Sequence, residues 1–216
     1  MSYKAVIFDW DGTVVDSADH ITDCLLYASG QAGLPPLDRS SYKNIIGLGL
    51  MEALNTLYPG IEQDQILTMR EAYSKRFIEK ATTPEHIFPG MIEILRDLGL
   101  DDRQCAVATG KSRRGLDRAF RTTELQHYFS ASRCADETRS KPDPAMLKEL
   151  LGHYGLEPRD AVMIGDTSYD LEMARRIDMP AIGVHWGVHD PDTLKKQQPV
   201  AIVETMDDLR QALRLI

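Results

Sequence analysis

Asp9 and Asp11 stand two residues apart in AVIFDWDGTVVDS, directly after the apolar run Ala5–Phe8. Two carboxylates that close repel one another, and an unpaired charge at the end of a buried strand is costly. A compensating positive charge, or a chemical use for the pair, is expected. Three other groups occur in similar settings: Thr109-Gly110-Lys111, Lys141 in SKPDP, and Asp166 with Asp170 in GDTSYD. Hard anionic oxygens suit Mg²⁺, which takes one or two protein carboxylates and can hold Asp9 and Asp166 together as ions. A hydroxyl, a lysine and backbone N–H groups near helix starts make a cradle for phosphate. A carboxylate facing that cradle can attack phosphorus. A second carboxylate two residues on can protonate the leaving oxygen and later activate water.

These groups share a rim only if the right elements carry them. Short apolar runs recur at Ala5–Phe8, Cys105–Ala108, Ala161–Ile164, Ala181–Val184 and Val200–Val203. Between them lie stretches of helical period, such as Met91, Ile94, Leu95 and Leu98, or Leu147, Leu150 and Leu151. That alternation predicts an α/β fold, a Rossmann-like parallel sheet with helices on both faces, and such sheets bind ligands at the carboxyl ends of their strands. One interval breaks the rhythm. From 17 to 82 the patterns are helical, with Ile21, Leu25 and Ala28 on one face, Leu50, Leu54 and Leu57 on another, and a third run from Asp64 to Lys80. Breakers fall at Gly33-Leu34-Pro35-Pro36, Gly47–Gly49 and Pro59-Gly60. The interval is too long for a simple crossover. It predicts an inserted all-helical cap subdomain at 17–82 over a core formed by 1–16 and 83–216.

Composition narrows the field. The 216 residues carry 25 basic and 33 acidic side chains, a net charge of −8, which argues against nucleic-acid and anionic-membrane partners. Cys24, Cys105 and Cys134 are odd in number, widely spaced and without a CxxC, as expected of free thiols in a reducing, cytoplasmic setting. There is neither a membrane-length apolar run nor a signal-peptide pattern.

Four motifs in order, DWDGTVVDS, the threonine of VATGK, the lysine of SKPDP, and GDTSYD, resemble the haloacid dehalogenase superfamily of phosphohydrolases. The resemblance spans essentially the whole chain and is to the branch with a helical cap after the first strand. IGLGLMEALNTLYP and GVHWGVHDPDTL are similar to phosphoglycolate phosphatase-like members. The resemblance implies Asp9 as nucleophile and Asp11 as general acid/base, with the Asp11 backbone carbonyl on Mg²⁺. It implies Thr109, Gly110 and Lys141 around the phosphoryl oxygens, Asp166 on the metal, and Asp170 supporting it through water or Lys141. The expected substrate is a small phosphorylated metabolite, phosphoglycolate first, and the expected state a monomer or homodimer. A sugar phosphomutase or a pyrophosphatase shares such a site, a dehalogenase would not need Asp11, and a phospho-accepting signalling domain would be shorter and lack the insert.

Several residues keep two readings. Thr109 can cap the following helix as well as hold phosphate. Asp170 can be an early-turn residue favoured by the helix dipole. Arg113 and Arg114 fit solvated ion pairs or phosphate contact, and His185 and His189 a loop rather than a metal site. Gly47-Leu48-Gly49, Lys43, Asp19 and His20 can face the cleft from the cap side. Trp10 has only packing to explain it.

Overall fold

The computed structural model describes residues 3–80 and 86–215. Its main sheet has six strands: β1 (Ala5–Phe8), β4 (Gln104–Thr109), β5 (Ala131–Cys134), β6 (Ala161–Gly165), β7 (Ala181–Val184) and β8 (Ala201–Val203). They pair in parallel in the order β5-β4-β1-β6-β7-β8. The chain builds outward from β1 on one side and then on the other, so its strand order reverses at β1, where open α/β sheets form their binding crevice.

Strand β1 is apolar throughout because both its faces are covered. Val6 and Phe8 belong to a core shared with α5 (Met91–Leu100), α6 (Arg113–Thr123) and α10 (Met206–Leu213). Ala5 and Ile7 belong to the opposite core, shared with α7 (Ala145–Tyr154), α8 (Ser168–Arg175) and α9 (Pro191–Lys195). Trp10 is fully buried, edge-on to Phe120 and Phe129 at centroid distances of 5.2 and 6.0 Å, so it ties the loop after β1 to the α6 side of the core.

Among the described residues, four helices lie between the short strands β2 (Val15–Asp16) and β3 (His86–Ile87): α1 (Ala18–Gln31), α2 (Arg39–Asn44), α3 (Leu50–Leu57) and α4 (Gln63–Lys80). They bury a third cluster of their own, with Ile21, Leu25, Leu54 and Met69 at its centre. Tyr42 and Tyr58 place their hydroxyls 2.7 Å apart inside it, and the Tyr58 hydroxyl donates to the Pro35 carbonyl. The helical reading of this interval agrees with the elements found, while its expected end at Thr82 falls outside the described residues. β2 and β3 pair antiparallel, so the chain leaves for the helices and returns from them at adjacent positions.

Three strands and one helix had no counterpart in the sequence reading: β2, β3 and β5, and the short α2. The first two are two residues long, and β5, with the sequence ASRC, is an edge strand that is mostly half-buried and has no apolar run. The three cysteines are buried and unpaired by disulfides. No helix among the described residues is long and apolar enough to cross a membrane.

Candidate active site

The loop after β1 turns sharply at Gly12, whose φ of +80° suits glycine, and brings Asp9 and Asp11 to the rim. β6 delivers Asp166 and α8 delivers Asp170, while Lys141 arrives from the segment ahead of α7. One carboxylate oxygen each from Asp9, Asp166 and Asp170 fall within 4.8 Å of one another, and all three residues are buried. Lys141 Nζ stands 2.7 Å from Asp9 Oδ1 and 2.6 Å from Asp170 Oδ1, equally buried.

Three ionised carboxylates against one ammonium leave this cluster with two surplus negative charges. Burial pushes the Asp9 carboxyl well above the ordinary aspartate range; Lys141 opposes the rise, and Asp170 and Asp166 add to it. Asp166 is pushed up to about 7, by burial first and by Asp170 next. Burial would lower the Lys141 ammonium, but Asp170 and Asp9 outweigh it and hold the proton more tightly than usual. Asp9 Oδ2 is buried without a hydrogen-bond partner among the described residues. A surplus of two charges, hard oxygen donors and an orphaned carboxylate oxygen together fit a divalent cation.

Asp166 is held by two contacts that its own motif does not announce. Thr13 Oγ1 donates to its Oδ1 at 2.9 Å and the Val188 backbone N–H to its Oδ2 at 2.8 Å. Asp11 turns its side chain elsewhere: Ser17 Oγ donates to its Oδ1 at 2.5 Å and Lys111 Nζ lies 2.9 Å from the same oxygen. Asp11 is accordingly absent from the cluster of Asp9, Asp166 and Asp170. The Lys111 contact is not visible as a motif; its only signal was a lysine two residues past Thr109.

Other candidates divide. Thr109 is buried, and its Oγ1 accepts from the Lys111 N–H; the cap of α6 is Ser112, so the capping reading of Thr109 does not hold. Asp170 is an early-turn residue of α8 that also joins the buried cluster, since one oxygen accepts from the Thr167 backbone N–H and the other meets Lys141. Arg113 is spent on Glu137 and Asp117, whereas Arg114 lines the cavity over Asp9. His189 takes the Ser168 N–H on Nδ1 at 2.9 Å, which makes it an anchor for the start of α8. Asp19 and Lys43 pair with each other at 2.9 Å on the surface, and neither lines the cavity. His20 packs on the Phe77 ring at 4.5 Å.

The helices of the insert close over the rim at the Gly47–Gly49 loop. A Cβ at Gly110 would stand 2.5 Å from the Leu48 carbonyl oxygen and 2.6 Å from that of Gly47. Backbone cannot yield as a side-chain tip does, so Gly110→Ala is expected to push this loop off the rim. The expected kinetic result is a fall in kcat/KM of about tenfold, equivalent to about 1.4 kcal/mol. Steady-state kinetics beside a melting curve check it, and an unchanged kcat/KM would show that the loop's approach is unimportant.

The family model described as haloacid dehalogenase-like hydrolase matches residues 6–184. The Dickeya dadantii protein named "Probable phosphatase IndB" is 33% identical over 208 residues, covering 94% of this chain and 90% of that one. The phosphoglycolate phosphatase of Photorhabdus laumondii is 24% identical over 217 residues, covering 98% and 93%. A crystal structure described as a predicted phosphatase from Clostridium acetobutylicum superposes with a TM-score of 0.88 at 25% identity, covering 100% of both chains.

Proposed function

The chain belongs to the haloacid dehalogenase-like hydrolases and hydrolyses phosphoric monoesters; we propose that it does so with Mg²⁺, through an aspartyl-phosphate on Asp9. The observation that carries this reading is the buried Lys141 ammonium between Asp9 and Asp170, beside Asp166, with Asp9 Oδ2 left unpartnered. An ammonium and a cation on either side of a carboxylate lower the repulsion that an incoming phosphate dianion would meet.

In the first step an Asp9 oxygen bonds to phosphorus as the bond to the leaving oxygen breaks, and Asp11 gives that oxygen a proton. In the second, water attacks phosphorus, Asp11 takes the water's proton, and the bond from phosphorus to Asp9 breaks to release inorganic phosphate. Both contacts to Asp11 fall on Oδ1, which leaves Oδ2 to exchange the proton. Lys141 and Thr109 hold phosphoryl oxygens, and the Gly110 backbone lets the Gly47–Gly49 loop close over them. Asp9, Asp166, Asp170 and the Asp11 carbonyl would hold Mg²⁺, which supplies charge neutralisation for the phosphoryl oxygens. Residues 17–82 act as the cap that keeps bulk water from the attack. The buried free thiols suit a cytoplasmic setting.

The test is phosphate release from phosphoglycolate, sugar phosphates, nucleotides and pyrophosphate, with Mg²⁺ and with EDTA. Release that needs the metal is expected. Conversion of glucose 1-phosphate to another sugar phosphate, without release, would overturn the reading in favour of a mutase.

A further inference from the structure

The cavity reaching Asp9 has a volume of about 570 Å³. That is a size for ligands much larger than a two-carbon phosphoacid. Its walls are divided by chemistry. Ile21 and Leu25 from α1, Ile45 and Ile46 from the turn after α2, and Leu50 from α3 make one side apolar.

Arginines make the other. Arg114, Arg118 and Arg121 of α6 line the cavity at i, i+4 and i+7, so one helix face presents three guanidiniums to it. Arg70 of α4 lines it as well. Beyond the catalytic carboxylates, the acidic lining residues are Glu52 and Asp136. Four arginines against two acids reverse the sign of a chain whose net charge is −8.

These guanidiniums are also uncommitted. Elsewhere arginines sit with carboxylates, as Arg113 does with Glu137, Arg133 with Glu149 and Arg176 with Glu172. Among the described residues, Arg70, Arg114 and Arg121 have no hydrogen bond or ion pair. Arg118 lies 5.3 Å over the Phe77 ring and donates to the Phe77 carbonyl at 3.5 Å, which leaves its charge without a counterion. Like charges at this helical spacing repel. A ligand anion removes that repulsion.

We propose that the arginine stripe of α6, with Arg70, binds a second anionic group on the substrate. The substrate is then a phosphomonoester whose leaving group has an apolar body against the α1 side and a carboxylate or second phosphate at its far end. This rests on the phosphatase reading above and refines it.

Three esters of one chain length test it: hexyl phosphate, 6-(phosphonooxy)hexanoate and hexane-1,6-diol bisphosphate, with phosphoglycolate as the short acid. Either terminal anion is expected to raise kcat/KM over hexyl phosphate by about tenfold or more, chiefly through KM, the scale of a charge-assisted contact. The two anionic esters separate carboxylate from phosphate recognition. In Arg114→Ala/Arg118→Ala and in Arg114→Glu the ratio of anionic to plain ester is expected to fall toward one, whatever the plain rate becomes. Equal kcat/KM for the three esters in the wild type, or a ratio indifferent to both variants, overturns the inference while the phosphatase stands. Phosphoglycolate outrunning all three also overturns it. If no ester releases phosphate, the phosphatase reading itself has failed. Calorimetric binding of heptylphosphonate against 7-phosphonoheptanoate then decides the subsite, by whether the wild type prefers the carboxylate and the variants do not.

Discussion

Asp9→Asn is expected to lower phosphate release by at least about four orders of magnitude, the scale on which loss of a nucleophile is felt. The amide keeps the shape of the side chain but cannot displace the leaving oxygen, so no phosphorylated protein should be recoverable after an acid quench. The same change should leave the metal-free protein at least as stable as the wild type. Asp9 is one of three buried carboxylates facing a single ammonium, and its carboxyl already resists ionisation. Inactivity together with an undiminished melting temperature separates lost chemistry from lost folding. Hydrolysis within about tenfold of wild type would sink Asp9 as nucleophile.

Lys141→Met is the change with the largest expected effect on stability. Methionine is of similar reach and leaves little void, so the loss reads charge rather than packing. Removing the ammonium strands Asp9 and Asp170, and breaking a buried pair in this way costs about 3–5 kcal/mol. The pH dependence has a definite sign. Asp9 and Asp166 are raised in the folded state, so their contribution favours folding at pH values below the ordinary aspartate value of about 4 and is lost as pH rises, for Asp166 through about 7. Protonated carboxyls neither need Lys141 nor repel one another. The deficit of the variant against wild type should therefore be larger at pH 8 than at pH 5, in urea unfolding with EDTA present. A deficit equal at both values would mean that Lys141 stabilises by packing alone.

Asp9, Asp11, Thr109, Gly110, Lys141, Asp166 and Asp170 were legible because each stands where an apolar run ends or a helix starts, and a parallel sheet sends all such points to one rim. Asp9, Asp166, Asp170 and Lys141 do meet there. Their supports were not legible. Thr13 and Val188 hold Asp166 from segments that approach it only in three dimensions, one of them through a backbone N–H that has no sequence signature. The Lys111 contact to Asp11 depends on how the turn after β4 aims a long side chain. β5 was missed for a different reason: an edge strand can be built from Ser and Arg because one side of it meets solvent.

The pairing of Val15–Asp16 with His86–Ile87 has an evolutionary consequence. A segment whose ends are already held side by side closes a loop, and the entropy of closing a loop grows only with the logarithm of its length. Doubling what lies between the two short strands adds roughly 0.6 kcal/mol. A lineage can lengthen, trim or exchange those helices at small thermodynamic cost without displacing the carboxylates and lysine of the rim. Reactivity and selectivity are then inherited as separable traits, joined at one two-residue gate.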